Sequence, residues 1–328
     1  MRARLRIVSV ILLLAGTTVL PAAAAEIDSV TRRGEPLTDS APALERRLNE
    51  ALEAGVDRAN GSPTPCDEAA LYRGLRRALA SPFIGHVIAS SLDDDDALDR
   101  RRVRRVDSVY RDLGLLENIS VRWKDLSSVI RVGDTLIGVD KIGHFFVEGW
   151  AYFETAYLDG EGVEAAMDWG EDTESSYFGH YTTGVHSWAD LAANFEGMRF
   201  WLRVRGGARD PLGGGFGRNR PYVRCTRRYW LVGPRQWTLA RRLDLSDYVT
   251  SAWDEAVNCC SYRNEEIEAK VRARIAALSE AAGVDYTCPL DPAACAEVRE
   301  RYGEWAPRLL HPDCLAAPAP DRPWWRPW

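Results

Sequence analysis

The chain is short of several things, and each shortage excludes a class of protein. No Cys-x-x-Cys pair occurs, which removes the usual frame of a Cys-rich zinc site. Beyond the first 25 residues there is no apolar run long enough to cross a bilayer, so a multi-span membrane protein is excluded. Positive charge is not in excess: 42 Lys and Arg face 48 Asp and Glu, for a net charge of −6, and no basic domain stands out. That argues against a nucleic-acid partner. Internal repeats and an HExxH signature are also missing.

What is present is ordinary globular material with an unusual ring content. In 328 residues, 46% are hydrophobic, 27% charged, and 12 are Trp. That is enough to bury one large core or two modest ones. The first 25 residues read as a secretory leader. Arg2, Arg4 and Arg6 precede the apolar stretch Ile7 to Leu20, and Ala22 to Ala25 offer small-residue cleavage sites. No Cys follows that stretch, so lipoprotein anchoring is not expected. Export would put all seven cysteines where disulfides persist. Five of them lie beyond residue 258, so the C-terminal part is expected to be stapled, and the odd count leaves one thiol over. A bond between the adjacent Cys259 and Cys260 would be strained, so distant partners are expected.

The expected fold is mostly α: an irregular helical bundle with long loops and a disulfide-stapled C-terminal region. Residues 26–62 read as a polar helix, around Ala41 to Ala54, and a linker. Residues 63–205 form a central helical domain, 206–315 a Cys-containing helical region, and 316–328 a Pro/Trp-rich tail suited to an extended form or a membrane interface. Within the centre, Asp67 caps a helix reaching Leu79. The acidic run Asp93 to Asp96 lacks EF-hand spacing and reads as a solvated turn before a helix that ends near Leu116. Gly133-Asp134 marks the turn of a short hairpin or an irregular loop. Helices follow at Asp140 to Leu158, in part of Val163 to Tyr177, and at Ser187 to Arg203 with Ser187 as N-cap. Two more are expected at Ser246 to Asn258 and Glu265 to Ala282. Asn118-Ile119-Ser120 forms a glycosylation sequon, which matters only in a eukaryote.

Chemistry concentrates in two of these helices. Asp140, His144 and Glu148 stand at i, i+4 and i+8, which places them on one helical face, while Phe145, Phe146, Trp150 and Phe153 can bury elsewhere. On the second helix Asp190 and Asn194 are four apart, with His186 just before the N-terminus and small Ala192, Ala193 and Gly197 permitting close approach. Glu171, Glu174 and His180 lie between. A titratable stripe of this kind is costly to bury unless its members pair or hold a ligand.

The pieces Asp140, Lys141, His144 and Phe145, then Glu174, then Gly184, Ser187, Trp188, Asp190, Leu191, Ala192 and Gly197 form a pattern. It resembles the YfiM family of bacterial envelope lipoproteins, related in pattern to VanZ-like proteins, some of which are linked to glycopeptide resistance. Asn194 resembles the VanZ-like form of the last motif. The resemblance spans about residues 140–197 and implies an envelope location and site positions rather than a reaction. It departs from the family in lacking a lipobox Cys, in carrying too many charges for VanZ-type spans, and in its long flanking regions.

Three readings of these residues follow. His144, Glu148, Glu174, His186 and Asp190 supply nitrogen and oxygen donors suited to a divalent metal cofactor. Alternatively His144 acts as a base oriented by Asp140 or Asp190, with Glu174 as the acid, in a hydrolase for an envelope lipid or glycan. Lys141, Glu148, His186 and Asn194 would then contribute to binding. In the third, a non-catalytic envelope binding or scaffold protein, the same groups form internal struts: Asp140 accepts from Lys141, His144 bonds Asp190, and Asn194 bridges the helices. Lys141 can also simply snorkel from the helix start. Ser187 is read as a cap rather than a nucleophile. Asp254 and Glu255, beside Cys259, read as surface groups or as a third helical contribution to the site.

Overall fold

The computed structural model describes residues 26–80, 98–114, 117, 126–176, 184–213, 220–229 and 232–318. The stretch 1–25 read as a leader, the acidic run Asp93 to Asp96, the sequon at Asn118, His180 and most of the Pro/Trp tail lie outside them. The protein is mostly helical with small sheets, as its periodicities imply. Among the described residues no helix is long and apolar enough to cross a membrane.

Helix α1 (Ala41–Asn60) buries Leu44, Leu48, Leu52 and Val56, an i, i+4 stripe, and stops at Gly61. Asp67 accepts from the Ala69 amide and starts α2 (Glu68–Leu75), which ends in a wider π-helical turn (Arg76–Ala80). The residues after the acidic run are not the expected helix. Arg100–Arg101 form a short strand, β1, against β2 (Val129–Val132), which pairs with β3 (Thr135–Gly138). Arg101 is buried and donates to the carbonyls of Ser29 and Arg32, so tertiary hydrogen bonds override its helix propensity. The β2–β3 hairpin turns at Gly133, whose φ of 59° suits glycine.

That hairpin delivers the chain into α3 (Asp140–Phe153), prolonged by a π-helical turn to Leu158. Helix α4 (Val163–Ser176), strand β4 (Val185–Ser187) and helix α5 (Trp188–Arg205) follow. Strands β5 (Val223–Tyr229) and β6 (Val232–Leu239) form an antiparallel hairpin in a region read from sequence as helical. The helix expected over Ser246 to Asn258 is also absent; two short 3-10 turns, Leu245–Asp247 and Ser251–Trp253, stand there instead. Asp244, Thr250 and Asp254 each accept a backbone N–H two residues ahead, and these local bonds compete with helix formation. Strand β7 (Cys260–Tyr262) then pairs with β4, and α6 (Glu265–Ala282), α7 (Pro292–Tyr302) and the short α8 (Ala306–Leu309) and α9 (Pro312–Ala316) complete the described part of the chain.

Helices α3 and α5 form the centre. They cross where Gly149 meets Gly197: a Cβ on Gly149 would stand 2.6 Å from the Gly197 Cα, and one on Gly197 would run into the Phe145 carbonyl oxygen. Around the crossing, Phe145, Phe146, Trp150, Phe200, Trp201 and Tyr248 interlock edge to face, and Trp253 packs tilted against Phe145. Each such ring contributes about 1.5–3 kcal/mol on burial. One continuous core runs from Leu44 to Ala317; a smaller one lies under α6.

Three disulfides join Cys66 to Cys225, Cys259 to Cys288 and Cys295 to Cys314, leaving Cys260 as the free thiol. Two of them staple the C-terminal region. The first instead ties the start of α2 to β5. Such bonds are consistent with an oxidising, extracytoplasmic location.

Candidate functional site

The site is assembled by three features of the chain. The β2–β3 hairpin sets Asp140 and Lys141 at the first turn of α3. Ser187 caps α5, its Oγ accepting from the Asp190 amide at 3.3 Å, and so fixes Asp190 one turn in. The β4–β7 pairing places Ser187 opposite Cys260 and draws the preceding segment, with Glu255, against both helices.

Lys141 is the hub. It is 1% exposed, and its Nζ lies 2.8 Å from Asp140 Oδ2, 2.5 Å from Asp190 Oδ1 and 2.6 Å from Glu255 Oε1. The ammonium donates hydrogen bonds to Asp140 and Glu255 and makes a close ion pair with Asp190. Of the two readings of this lysine, the network holds and the snorkelling does not: Asp140 accepts from it and its charge stays inside. Glu255 Oε1 also accepts from Ser187 Oγ at 2.9 Å. Asp254 and Glu255 are not surface groups either; both are buried, and Asp254 takes both guanidinium nitrogens of Arg33.

His144 stands one turn beyond Lys141. Its Nε2 is 3.2 Å from Asp190 Oδ2, its Nδ1 is 3.1 Å from the Asn194 side chain, and Glu148 Oε2 is 3.9 Å away. The Asn194 amide has two orientations with different meanings. With its oxygen toward Nδ1 it accepts the second N–H of an imidazolium. Turned over, its NH2 donates to a neutral Nδ1 and reaches the backbone carbonyls of His144 and Asp190 at 3.3 and 3.2 Å. The proton on His144 and the pose of Asn194 are thus linked. Both ring nitrogens are engaged inside the protein, so a proton moves on His144 only with rearrangement of Asp190 or Asn194.

Helix α4 contributes Glu174, which is buried to 94%, while Glu171 turns outward to Arg308 at 2.5 Å. Gly170, one turn before Glu174, makes room for the Tyr152 hydroxyl, and no side chain other than hydrogen would fit there. His186 is buried on β4 with its ring against Trp188, centroids 5.1 Å apart. It packs beside the cap of α5; Asp140, His144 and Asp190 make up the compact donor group.

The acids outnumber the cations. Asp140, Glu148, Glu174, Asp190 and Glu255 face Lys141 and His144. Protons make up the difference, and the directions of the shifts say where. Burial, reinforced by Asp190, pushes Glu174 up to about 8. Burial also raises Asp140, Glu148 and Glu255, more than Lys141 or His144 lowers them. Asp190 alone goes down: burial opposes its charge, but His144 and Lys141 outweigh that. Burial likewise works to strip His144 of its proton, yet Asp190, Glu148 and Glu174 pull it up to about 9.

Asp140, His144 and Asp190 each offer a donor atom within 4.8 Å of the others, the spacing a metal ion needs. The Lys141 ammonium sits on two of those carboxylates, in the position a divalent cation would take. Beside Glu255, a cavity of about 130 Å³ is lined by Tyr110, Tyr262, Cys260 and the Cys259–Cys288 bond.

Sequence reasoning did not single out a second buried ionic group further along α5. Arg199 and Arg203 both hold Asp210, at 2.8 and 2.7 Å, and Arg199 also pairs with Glu196, which Arg301 reaches at 3.2 Å. Its signal was there: Glu196, Arg199 and Arg203 recur at i, i+3 and i+7 on one face.

No family model, curated protein or solved structure matches the chain.

Proposed function

We propose that the protein is an exported cell-envelope protein whose interhelical site performs acid–base chemistry, as a hydrolase acting on an envelope lipid or glycan. The observation that carries this is the surplus of acids: four buried carboxyl groups and the half-buried Glu148, with one lysine and one histidine among them. A surplus of this kind splits chemically equal groups into different roles. Glu174, protonated up to a pH of about 8, is the acid; Asp190, held ionised by Lys141 and His144, is the base or nucleophile. Two carboxyl groups pushed apart in this way are the arrangement that acid–base hydrolysis requires. Glu148, whose side chain keeps 26% of its surface exposed, marks the side from which substrate reaches the cluster. The resemblance to envelope proteins over residues 140–197 supports the location, and the disulfides agree with it.

The test is incubation of the purified protein with envelope glycan and lipid fractions, with products followed by mass spectrometry. Glu174→Gln should slow product formation by about 100-fold or more while leaving the circular dichroism unchanged. Absence of product from every fraction between about pH 5 and 9, or equal rates for the variant, overturns the proposal.

A second reading has its own observation. Lys141 pairs with three carboxylates and His144 engages both nitrogens, as struts between α3, α5 and the Glu255 segment would. In that case the protein is an envelope binding or scaffold protein, and Glu174→Gln changes stability only.

A further inference from the structure

A groove on the opposite element pair has a different chemistry from the acid-rich centre. It lies where the end of α1, the turn after it, and α2 with its π-helical extension come together, and it encloses about 690 Å³. Its walls carry four arginines, Arg58, Arg73, Arg76 and Arg77, and among the described residues no carboxylate. In a chain of net charge −6, that concentration of one sign is local and specific.

The helix geometry explains how it forms. Arg73, Arg76 and Arg77 follow one another across the end of α2 and its π-helical extension, with the Arg76 guanidinium also lying over the Trp150 ring. Ala70 and Gly74, four apart beside them, give the groove a floor of small residues. Gly74 is also where α2 touches α1: a Cβ there would stand 2.5 Å from the Gly55 carbonyl oxygen. This close approach brings Arg58, in the last turn of α1, to the same groove. Gly61, Ser62 and Pro63 close the end with short side chains.

Among the described residues, the acids paired with these guanidinium groups hold them loosely. Asp67 is 3.7 Å from Arg73, and Glu154 is 3.8 Å from Arg76; the two arginine side chains stay 70% and 46% exposed. Exposed pairs at such distances exchange readily for a better partner. Guanidinium forks match phosphate oxygens two at a time, and four of them around one groove exceed what a single carboxylate can satisfy.

We propose that this groove binds a phosphate-rich anion, with the diphosphate group as its chemical signature, held by Arg58, Arg73, Arg76 and Arg77. The inference is independent of the chemistry at the interhelical site. The same group can arrive as a free solute or on a lipid headgroup, and the experiment separates the two.

Inorganic pyrophosphate is titrated calorimetrically into the full chain at low salt, and co-sedimentation is measured with phosphatidylcholine vesicles with and without phosphatidic acid. Saturable pyrophosphate binding is expected, weakened about ten-fold or more in Arg73→Ala/Arg77→Ala. A control variant with two distant exposed arginines removed, Arg104→Ala/Arg272→Ala, should bind as the wild type does. These exposed positions leave the core untouched, and equal melting temperatures would confirm that. Loss of both pyrophosphate and vesicle binding in the groove variant identifies a lipid headgroup; loss of pyrophosphate binding with no vesicle binding in either protein identifies a free solute. No saturable binding of either probe, or binding that the groove variant leaves unchanged, overturns the proposal.

Discussion

The two ends of α5 carry buried ions in different proportions. Toward its C-terminus, Glu196 and Asp210 are met by Arg199 and Arg203, with Arg301 at the edge. Every charge has an opposite within hydrogen-bonding distance, and Asp210 is held below the usual carboxylate range by Arg199 and Arg203 against the effect of burial. Toward its N-terminus, five acids share Lys141 and His144, and four of the five are raised. The same helix thus carries one group that is complete without protons and one that needs them. A group built only to fix register has no reason to be short of cations. The shortage at the N-terminal end is therefore where chemistry is sought.

The comparison can be broken in four ways. The largest effect should come from the balanced end. Asp210→Ala leaves Arg199 and Arg203 buried without their carboxylate, and should lose about 3–5 kcal/mol in urea unfolding, nearly independent of pH between about 5 and 8. At the other end, Lys141→Met leaves Asp140, Asp190 and Glu255 to repel one another. A loss of about 3 kcal/mol is expected at pH 8, shrinking toward pH 5 as the already raised Asp140 and Glu255 take up protons. Equal pH dependence in the two variants would erase the distinction between the ends.

Between the ends, Gly197→Ala forces a methyl group against the Phe145 carbonyl at the helix crossing. A loss of about 1–3 kcal/mol is expected in the same unfolding measurement, because the two backbones must separate.

The smallest effect has the opposite sign. Glu174 has a folded pKa of about 8, above its ordinary value of 4.5, so folding binds its proton more tightly than the unfolded chain does. Its favourable share is complete below pH 4.5 and lost as pH rises to about 8. Glu174→Gln should therefore match the wild type in acid and exceed it by about 1 kcal/mol or more at pH 9, read from denaturation midpoints. His144 adds to the wild type's decline in the window from 6.5 to about 9.

Much of this was legible in the residues. The i, i+4 spacings of Asp140, His144 and Glu148, and of Asp190 and Asn194, place those side chains by helix geometry alone. Ser187 reads as a cap because a small hydroxyl precedes a helical stripe with an acid three residues on, and it is one. The small residues named on α5 do allow close approach; Gly197 marks the crossing. What failed to show were the contributions that depend on long-range pairing. Glu255 enters the site because β7 pairs with β4, and no local pattern carries that pairing. Ser246 to Asn258 has helical composition, yet Asp244, Thr250 and Asp254 turn back onto their own backbone. Strands β5 and β6 gain their stability from each other, from the core contacts of Val223 and Trp237, and from a disulfide whose partner lies 159 residues away.

That last bond has a topological consequence. Cys66 and Cys225 close a covalent ring around α2, α3, α4 and α5, and so around every acid of the site except Glu255. A protease that cuts once anywhere inside the ring produces two chains that cannot part until the sulfur bridge is reduced. Wherever reductants are scarce, a nicked copy would keep its central helices together and its assembled centre intact.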